Sequence, residues 1–405
     1  MHLLRLSLTN YRAFMRLDME VPNHIHLVVG GNAQGKTSIL EAIYYLATFT
    51  SFQAQHDRQL INYLNTQEAL SVGRIVADLE RAGRQHRIEA RLIREKNYNG
   101  SGRFRKEILL DGVKKSVQDV LGLFNAVIFL PQMTRIIEDG PEERRRFLNL
   151  FISQAMPGYG AHLAVYHQVV TQRNALLKQI YERNSDVGQL EYWDELLVQR
   201  GSAIIQARIR AIHELEQFST RIHQQLTHES EVLRLEYQPS FDPLIRQNGQ
   251  YHLPISSKDA RLQLSMDEIK TAFLQQLKAA RSEEISRGVT TLGPHRDELR
   301  VLANGIDLGV YGSRGQIRTA LLSLKLGEVN WLHGRSGEWP VLLLDEIMAE
   351  LDIRRRADLL QHIAGYEQVF LTTTDLEPFA REFMSGNTVW EASNGLVQVS
   401  DQIES

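Results

Sequence analysis

Two short segments of complementary chemistry stand 309 residues apart in this chain, and any fold it adopts must bring them together. The first, IHLVVGGNAQGKTSILEAIYYL, sets Gly30, four residues, then Gly35, Lys36 and Thr37 directly after an apolar strand-like run and at the start of a helical one. Glycines there let successive backbone N–H groups turn inward on a polyphosphate, and the helix start adds positive potential. Lys36 reaches the outer phosphates and Thr37 offers a hydroxyl to Mg²⁺. The expected ATP-binding loop is Gly30, Gly31, Asn32, Ala33, Gln34, Gly35, Lys36 and Thr37. The second segment, PVLLLDEIMAELD, is a continuous apolar run ending in Asp345 and Glu346, as in a buried central strand that delivers acids to the carboxyl edge of a sheet. Asp345 is the expected Mg²⁺ ligand beside Thr37, and Glu346 the expected catalytic group that orients and deprotonates an attacking water. Alone, an apolar run ending in Asp-Glu reads equally well as a plain strand end; the partner motif decides it.

The chain between these segments changes texture twice. Short alternating or apolar runs bounded by Gly, Pro or Asn fill the first 130 residues and read as strands, interrupted by a helix from Lys36 to Ala47. From about Pro141 to Arg287, Gln, Glu, Arg and Leu dominate at helical spacing. After Val289, strand and helix alternate again, with a helix expected over 316–332, the strand PVLLLDE, a helix over 353–363 and the strand QVFLTTT. The flanks, 1–150 and 288–405, are expected to form one α/β domain of mixed sheets and helices, with 151–287 inserted as an all-helical arm.

Composition narrows the function classes. A content of 43% hydrophobic and 23% charged residues is globular, and the absence of cysteine removes disulfides, cysteine zinc sites and thiol catalysis. Any metal must take oxygen ligands, since no two of the 14 histidines stand at i, i+4 with an acid between them, as a helical metal site needs. The amino terminus alternates like a strand and lacks a signal peptide's basic head, and no run approaches the roughly 20 apolar residues that span a bilayer. A cytoplasmic protein without a membrane partner is expected. Net charge is −3, so no whole-chain basic footprint announces nucleic acid. Locally, the stretch Arg81–Lys115 carries eleven Lys or Arg against four acids, and ERRRF and IRRRA add two clusters. Such runs are more often solvated faces than binding surfaces.

A third motif lies 32 residues before Asp345: YGSRGQIRTALLSLKLGE, where Ser313, Gly315 and Gln316 precede a long amphipathic helix. As an isolated string it reads as a helix cap. With the other two motifs it resembles the signature of ABC ATPases, which faces the ATP held by a second subunit. The order TLGPHRDEL (291–299), the turn at Asn304 and Gly305, SRGQ and LLSLKLGE, with NYRAF at 10–14 and FLPQMTRIIEDGPEERRRFLN at 129–149, resembles the RecF family of SMC-like ATPases along nearly the whole length. Structural-maintenance and double-strand-break ATPases insert hundreds of coiled-coil residues here; about 150 residues at ~1.5 Å each cannot build such an arm.

The resemblance implies an ABC-type ATPase head, an ATP-dependent homodimer with Ser313, Gly315 and Gln316 acting in trans, and DNA binding at double-strand/single-strand junctions. It further implies a slow DNA-dependent ATPase, and partnership with RecR, and through it RecO, in loading RecA during gap repair, replication and the SOS response. By resemblance, Arg12 reaches the γ-phosphate, Gln132 senses Mg²⁺ and Asp352 forms the D-loop. Departures occur at Gln132, in PQMT for PEDL; at Ile317, where a glutamine is usual; and at Ala349, in AELD for SELD. They bear on hydrolysis rate more than on ATP binding. The DNA-contacting candidates are Arg103, Arg105, Lys106, Lys114 and Lys115. Rival readings are a scaffold that binds ATP without turnover, a transporter's ATP-binding subunit, an end-processing ATPase and a small-molecule kinase. Thr373, Thr374 and Asp375 stand where transporter-type subunits carry a histidine, and nothing in the helical insertion announces a kinase lid.

Overall fold

The computed structural model describes the whole chain except residues 23, 65–67, 97–101, 184–185, 245–258, 378, 381–382, 385, 394 and 401–405. Its strands are β1 (His2–Tyr11), β2 (Phe14–Glu20), β3 (His24–Val29), β4 (Leu70–Arg81), β5 (Arg84–Lys96), β6 (Gly102–Leu110), β7 (Val113–Lys115), β8 (Ala126–Phe129), β9 (Leu233–Gln238), β10 (Glu298–Ala303), β11 (Ile306–Asp307), β12 (Val341–Asp345), β13 (Gln368–Thr373), β14 (Thr388–Ser393) and β15 (Leu396–Val399). The chain divides into two compact units, Met1–Met133 with Glu328–Ser405, and Thr134–Gly327.

The first unit contains two six-stranded sheets. One runs β15-β14-β3-β13-β12-β8, parallel from β14 to β8 with β15 added antiparallel. Every residue of β12 and β13 is buried, which explains why β12 reads as an apolar run up to Asp345 and why neither strand alternates. The other runs β2-β1-β4-β5-β6-β7 and is antiparallel throughout. It does alternate: Leu6 and Leu8 of β1, Ile75 and Ala77 of β4, and Ile88, Ala90 and Leu92 of β5 turn inward. Helix α1 (Lys36–Thr48) touches β4 and β5 of this sheet and β8, β12 and β13 of the other, so a single core carries side chains from both. That double covering makes α1 apolar nearly all round and fixes the loop before it against the carboxyl ends of β3 and β12.

The second unit is built on a helical hairpin, Tyr159–Arg183 against Leu190–Leu226, with Met266–Arg287 packed on both. Helices of 25 and 37 residues reach about 37 and 55 Å at ~1.5 Å per residue, far short of a long coiled coil. The insertion is not helical throughout. Strand β9 falls within 151–287 and pairs antiparallel with β10, with β11 on the far side. The unit therefore extends to Thr134–Gly327, beyond the expected 151–287. Its division falls inside the helix Arg314–Ser336, and the Ser313–Gln316 segment belongs to this unit instead of the α/β one.

Candidate functional site

In the first unit, the loop after β3 and the end of β12 converge on one cluster. Gly30 admits no side chain, because a Cβ there would sit 2.3 Å from the Ala392 carbonyl oxygen of β14. Gly35 has φ +92° and faces the Phe14 ring, which a Cβ would meet at 2.7 Å, so both conformation and space demand glycine. Between them the backbone turns over tightly enough to put Ala33 at φ +64°. Gly35 is the N-cap of α1 and offers no side chain to its first amides, leaving the helix start available to a phosphate.

Lys36 is 3% exposed, and its ammonium donates to the carbonyls of Gly30 (2.7 Å) and Gly31 (3.0 Å) while pairing with Glu346 at 3.3 Å. The Thr37 hydroxyl lies 3.0 Å from both oxygens of Asp345, and the Thr372 hydroxyl donates to Oδ1 at 2.7 Å. Burial raises the Asp345 carboxyl above the usual aspartate range; the Thr372 and Thr37 hydroxyls oppose this, Glu346 adds to it and Lys36 lowers it. Glu346 has a left-handed backbone (φ +48°), held by its N–H donating to Thr372 Oγ1 at 3.0 Å. Non-glycine residues in that region carry strain that clusters at working sites. A hydroxyl and a carboxylate side by side are hard oxygen donors of the kind Mg²⁺ takes, and the caged glycine loop with its ammonium fits a polyphosphate.

Arg12 is placed differently from the simple phosphate-facing arginine the resemblance implies. It follows β1 at φ +50° and makes a bidentate pair with Glu41 of α1 at 2.7 and 2.8 Å. Glu41 is fully buried and also accepts from Ser51 Oγ at 2.5 Å. Desolvation lowers the Arg12 pKa, but its hydrogen bond and charge pairing with Glu41 outweigh that and hold it raised. Glu41, Ser51 and Thr372 were not legible as site residues. A lone glutamate in the apolar run SILEAIYYLA was the one available signal, because a buried carboxylate demands a partner.

Gln132 is exposed, in the turn Pro131–Thr134. Because Phe129 of β8 pairs with Leu344 of β12, this turn leaves the same carboxyl edge as Asp345. Asp352 caps the helix Ile353–Ile363, accepting from the Arg355 N–H at 3.0 Å, and Ala349 beside it is exposed. In the second unit, Ser313 and Gln316 form a reciprocal cap on the helix Arg314–Ser336: Ser313 N–H to Gln316 Oε1 at 3.0 Å, Gln316 N–H to Ser313 Oγ at 3.3 Å. Gly315 opens onto empty space, whereas Ile317 is buried, so an apolar side chain suits that position.

The basic stretch is redistributed by the pleat. Arg103 and Arg105 point to the outer face of the antiparallel sheet, with Arg105 near Glu95 (3.6 Å) and Glu107 (3.7 Å). Lys114 is exposed and pairs with Glu107 at 3.0 Å; Lys115 is exposed. Lys106 takes the opposite face: it donates to Asp57 (2.8 Å) and the Phe49 carbonyl (3.0 Å) and lies over the Tyr45 ring. It is corrected from a surface contact to an inward-bonded residue. Arg87 with Asp78, and Arg74 and Arg91 with Glu89, absorb further charge, so the linear excess of basic residues overstates the potential of this face.

The TLGPHRDEL segment is a structural anchor of the second unit. Arg208, buried, donates to the Pro294 carbonyl (2.6 Å) and Asp297 (2.9 Å), and Asp297 also accepts from the Tyr237 hydroxyl and the Ser240 N–H. His295 bonds Tyr166 at 2.7 Å, and burial pushes its imidazole down to about 4.

The chain matches the family model described as RecF/RecN/SMC N terminal domain over residues 2–390. It is 35% identical over 398 residues to the DNA replication and repair protein RecF of Halothermothrix orenii, covering 98% of each chain. To the RecF of Chloroflexus aurantiacus it is 36% identical over 407 residues, covering 98% of this chain and 99% of the relative. The solved structure of the recombination mediator protein RecF-ATP in the RecFOR pathway superposes with a TM-score of 0.81 at 29% identity, covering 98% of this chain and 97% of that one. The chain belongs to the RecF family of DNA replication and repair proteins, within the RecF/RecN/SMC class of nucleotide-binding ATPases.

Proposed function

We propose that this chain is an ATP-driven dimerisation switch that clamps DNA at the junction between duplex and single strand and helps load a recombinase in gap repair, replication and the SOS response. The convergence of Lys36, Thr37, Asp345 and Glu346 carries this reading. Gly30 to Thr37 would cradle the phosphates, and Lys36 would exchange its loop carbonyls and Glu346 for the outer phosphate oxygens. Thr37, Asp345 and Gln132 would hold Mg²⁺, which supplies charge neutralisation on the phosphates when bound. Glu346 would accept the proton of the attacking water as the bond from the γ-phosphorus to the bridging oxygen breaks, leaving ADP and phosphate. Ser313, Gly315 and Gln316 would meet the nucleotide of a second copy, and Asp352 would serve as the D-loop. Moving such a switch from 1:99 to 99:1 takes about 5.5 kcal/mol, which contacts to two γ-phosphates across an interface can supply.

Arg103, Arg105, Lys114 and Lys115 are the proposed phosphodiester contacts, without base readout. Family resemblance supports RecR, and through it RecO and RecA, as partners acting in the cytoplasm; among the described residues no helix is long and apolar enough to cross a membrane. The test is the light-scattering mass of the Glu346→Gln protein with a gapped duplex, with and without ATP and Mg²⁺. An ATP-dependent doubling of the 46.4 kDa chain mass, abolished by Ser313→Arg, is expected. A mass that stays at one chain in every nucleotide state overturns the sandwich, and an ATP-independent dimer favours a scaffold.

A further inference from the structure

We propose that Glu231, backed by the buried His223, is the positioning residue that fixes the signature glutamine Gln316 and, through it, the direction of the Ser313 hydroxyl. This rests on reading 313–316 as the segment that meets a second copy's nucleotide. All the groups involved lie in the second unit.

The wiring follows from donor and acceptor capacity. An ionised carboxylate only accepts, so each oxygen of Glu231 needs a donor. Oε1 takes the Gln316 Nε2 amide proton at 2.8 Å, and Oε2 takes the His223 Nε2 proton at 3.1 Å. The His223 ring is fully buried near the end of the helix Leu190–Leu226, and its Nδ1 faces Ser323 Oγ at 3.0 Å. With Nε2 committed to Glu231, the Gln316 amide cannot flip, and its Oε1 must accept the Ser313 N–H. The Gln316 backbone N–H then donates to Ser313 Oγ. Each bond fixes the orientation that the next requires.

The backbone carrying Glu231 is itself held. Asn304, of the Asn-Gly turn, accepts the Val232 N–H at 2.8 Å and donates through Nδ2 to the Ser230 carbonyl at 3.2 Å, and its own N–H reaches the Val232 carbonyl at 3.0 Å. Residues 230–232 are therefore clamped on both sides of Glu231. A reciprocal Ser-Gln cap would satisfy the helix start unaided; a third, charged partner on the glutamine is what a position requiring one defined hydroxyl direction calls for.

The test compares Glu231→Ala with the exchanged pair Glu231→Gln/Gln316→Glu, in which residue 231 supplies the donor and residue 316 the acceptor. Three readouts apply: amide hydrogen exchange at 313–317 without nucleotide, nucleotide affinity of the single chain, and ATP-driven doubling of mass in the Glu346→Gln background. Glu231→Ala is expected to speed exchange at Gln316 and Ile317 about tenfold, as removal of one charge-assisted hydrogen bond predicts. It should raise the protein concentration needed for the dimer by a similar factor and leave nucleotide affinity within about twofold. The exchanged pair is expected to recover the slow amide exchange. Unchanged exchange in Glu231→Ala overturns the anchoring outright, and faster exchange with an unaltered dimer overturns its role in positioning. If the Glu346→Gln parent itself never doubles in mass, the dimer reading and the functional role of Glu231 both fall, while the exchange rates still decide the anchor.

Discussion

Asp345 is held nearly out of water beside a second carboxylate, with two threonine hydroxyls and Lys36 opposing the cost. Its folded-state pKa therefore lies above that of the unfolded chain. The stability it contributes is fully present below the ordinary aspartate range and is lost as pH rises through the raised folded value, so at neutral pH the charged form is a liability. Asp345→Asn is expected to raise the nucleotide-free thermal midpoint at pH 7, by a margin that shrinks as pH falls through the carboxylate range, while ATP turnover disappears. Melting curves across pH, alongside a phosphate-release assay, check both halves. Arg12 poses the opposite difficulty. Removing it leaves Glu41 as a buried unpaired charge, at a cost of about 3–5 kcal/mol, so loss of activity in Arg12→Ala would not identify a phosphate contact. Arg12→Ala/Glu41→Gln should regain most of that stability in a denaturant titration. If Arg12 also meets the γ-phosphate, hydrolysis stays low in the stabilised double variant; recovered hydrolysis would leave Arg12 a structural residue.

A single strand separates two classes of cation. Along β6, side chains alternate, so Arg103 and Arg105 stand in solvent while Lys106, next along the strand, bonds Asp57 and the Phe49 carbonyl. Arg103→Glu/Arg105→Glu is expected to weaken duplex binding regardless of sequence and to reduce the salt slope by about one for each phosphate no longer neutralised. Lys106→Ala should lower the melting temperature and leave the salt slope unchanged. Equal effects of the two substitutions on DNA affinity would sink this assignment. The phosphate loop makes a similar point about backbone: Gly35→Ala must place a methyl against Phe14 at φ +92°, so the start of α1 and nucleotide affinity should fail together.

For the molecule as a whole, the two units carry different burdens. The first holds the proposed nucleotide cluster, and the second holds the signature cap and the anchor around Asp297. Gly293 is part of that anchor, at φ +122° with its Cβ direction only 2.2 Å from the Tyr166 hydroxyl. Gly293→Ala should destabilise the second unit by about 3 kcal/mol or more through strain and overpacking. Under ATP the first unit gains about 2.7 kcal/mol at a hundredfold excess over Kd, so nucleotide binding should persist in this variant while dimerisation is lost. Denaturant unfolding followed by far-ultraviolet dichroism, with and without ATP, separates the two transitions.

The phosphate loop, the acid-ended central strand, the helix Ile353–Ile363 and the α/β character of the flanks are all legible in the order of residues alone. Each of these is written in a local period or in a backbone geometry that only particular residues tolerate. It took the fold to add β9 to a sheet with β10 and β11, to turn Lys106 inward, to commit Glu41 to Arg12, and to bring Glu231, bonded to His223, onto Gln316. A buried charge or polar group must find its partner wherever the fold brings one, and such pairs, here 29 to 85 residues apart, leave no periodicity to read.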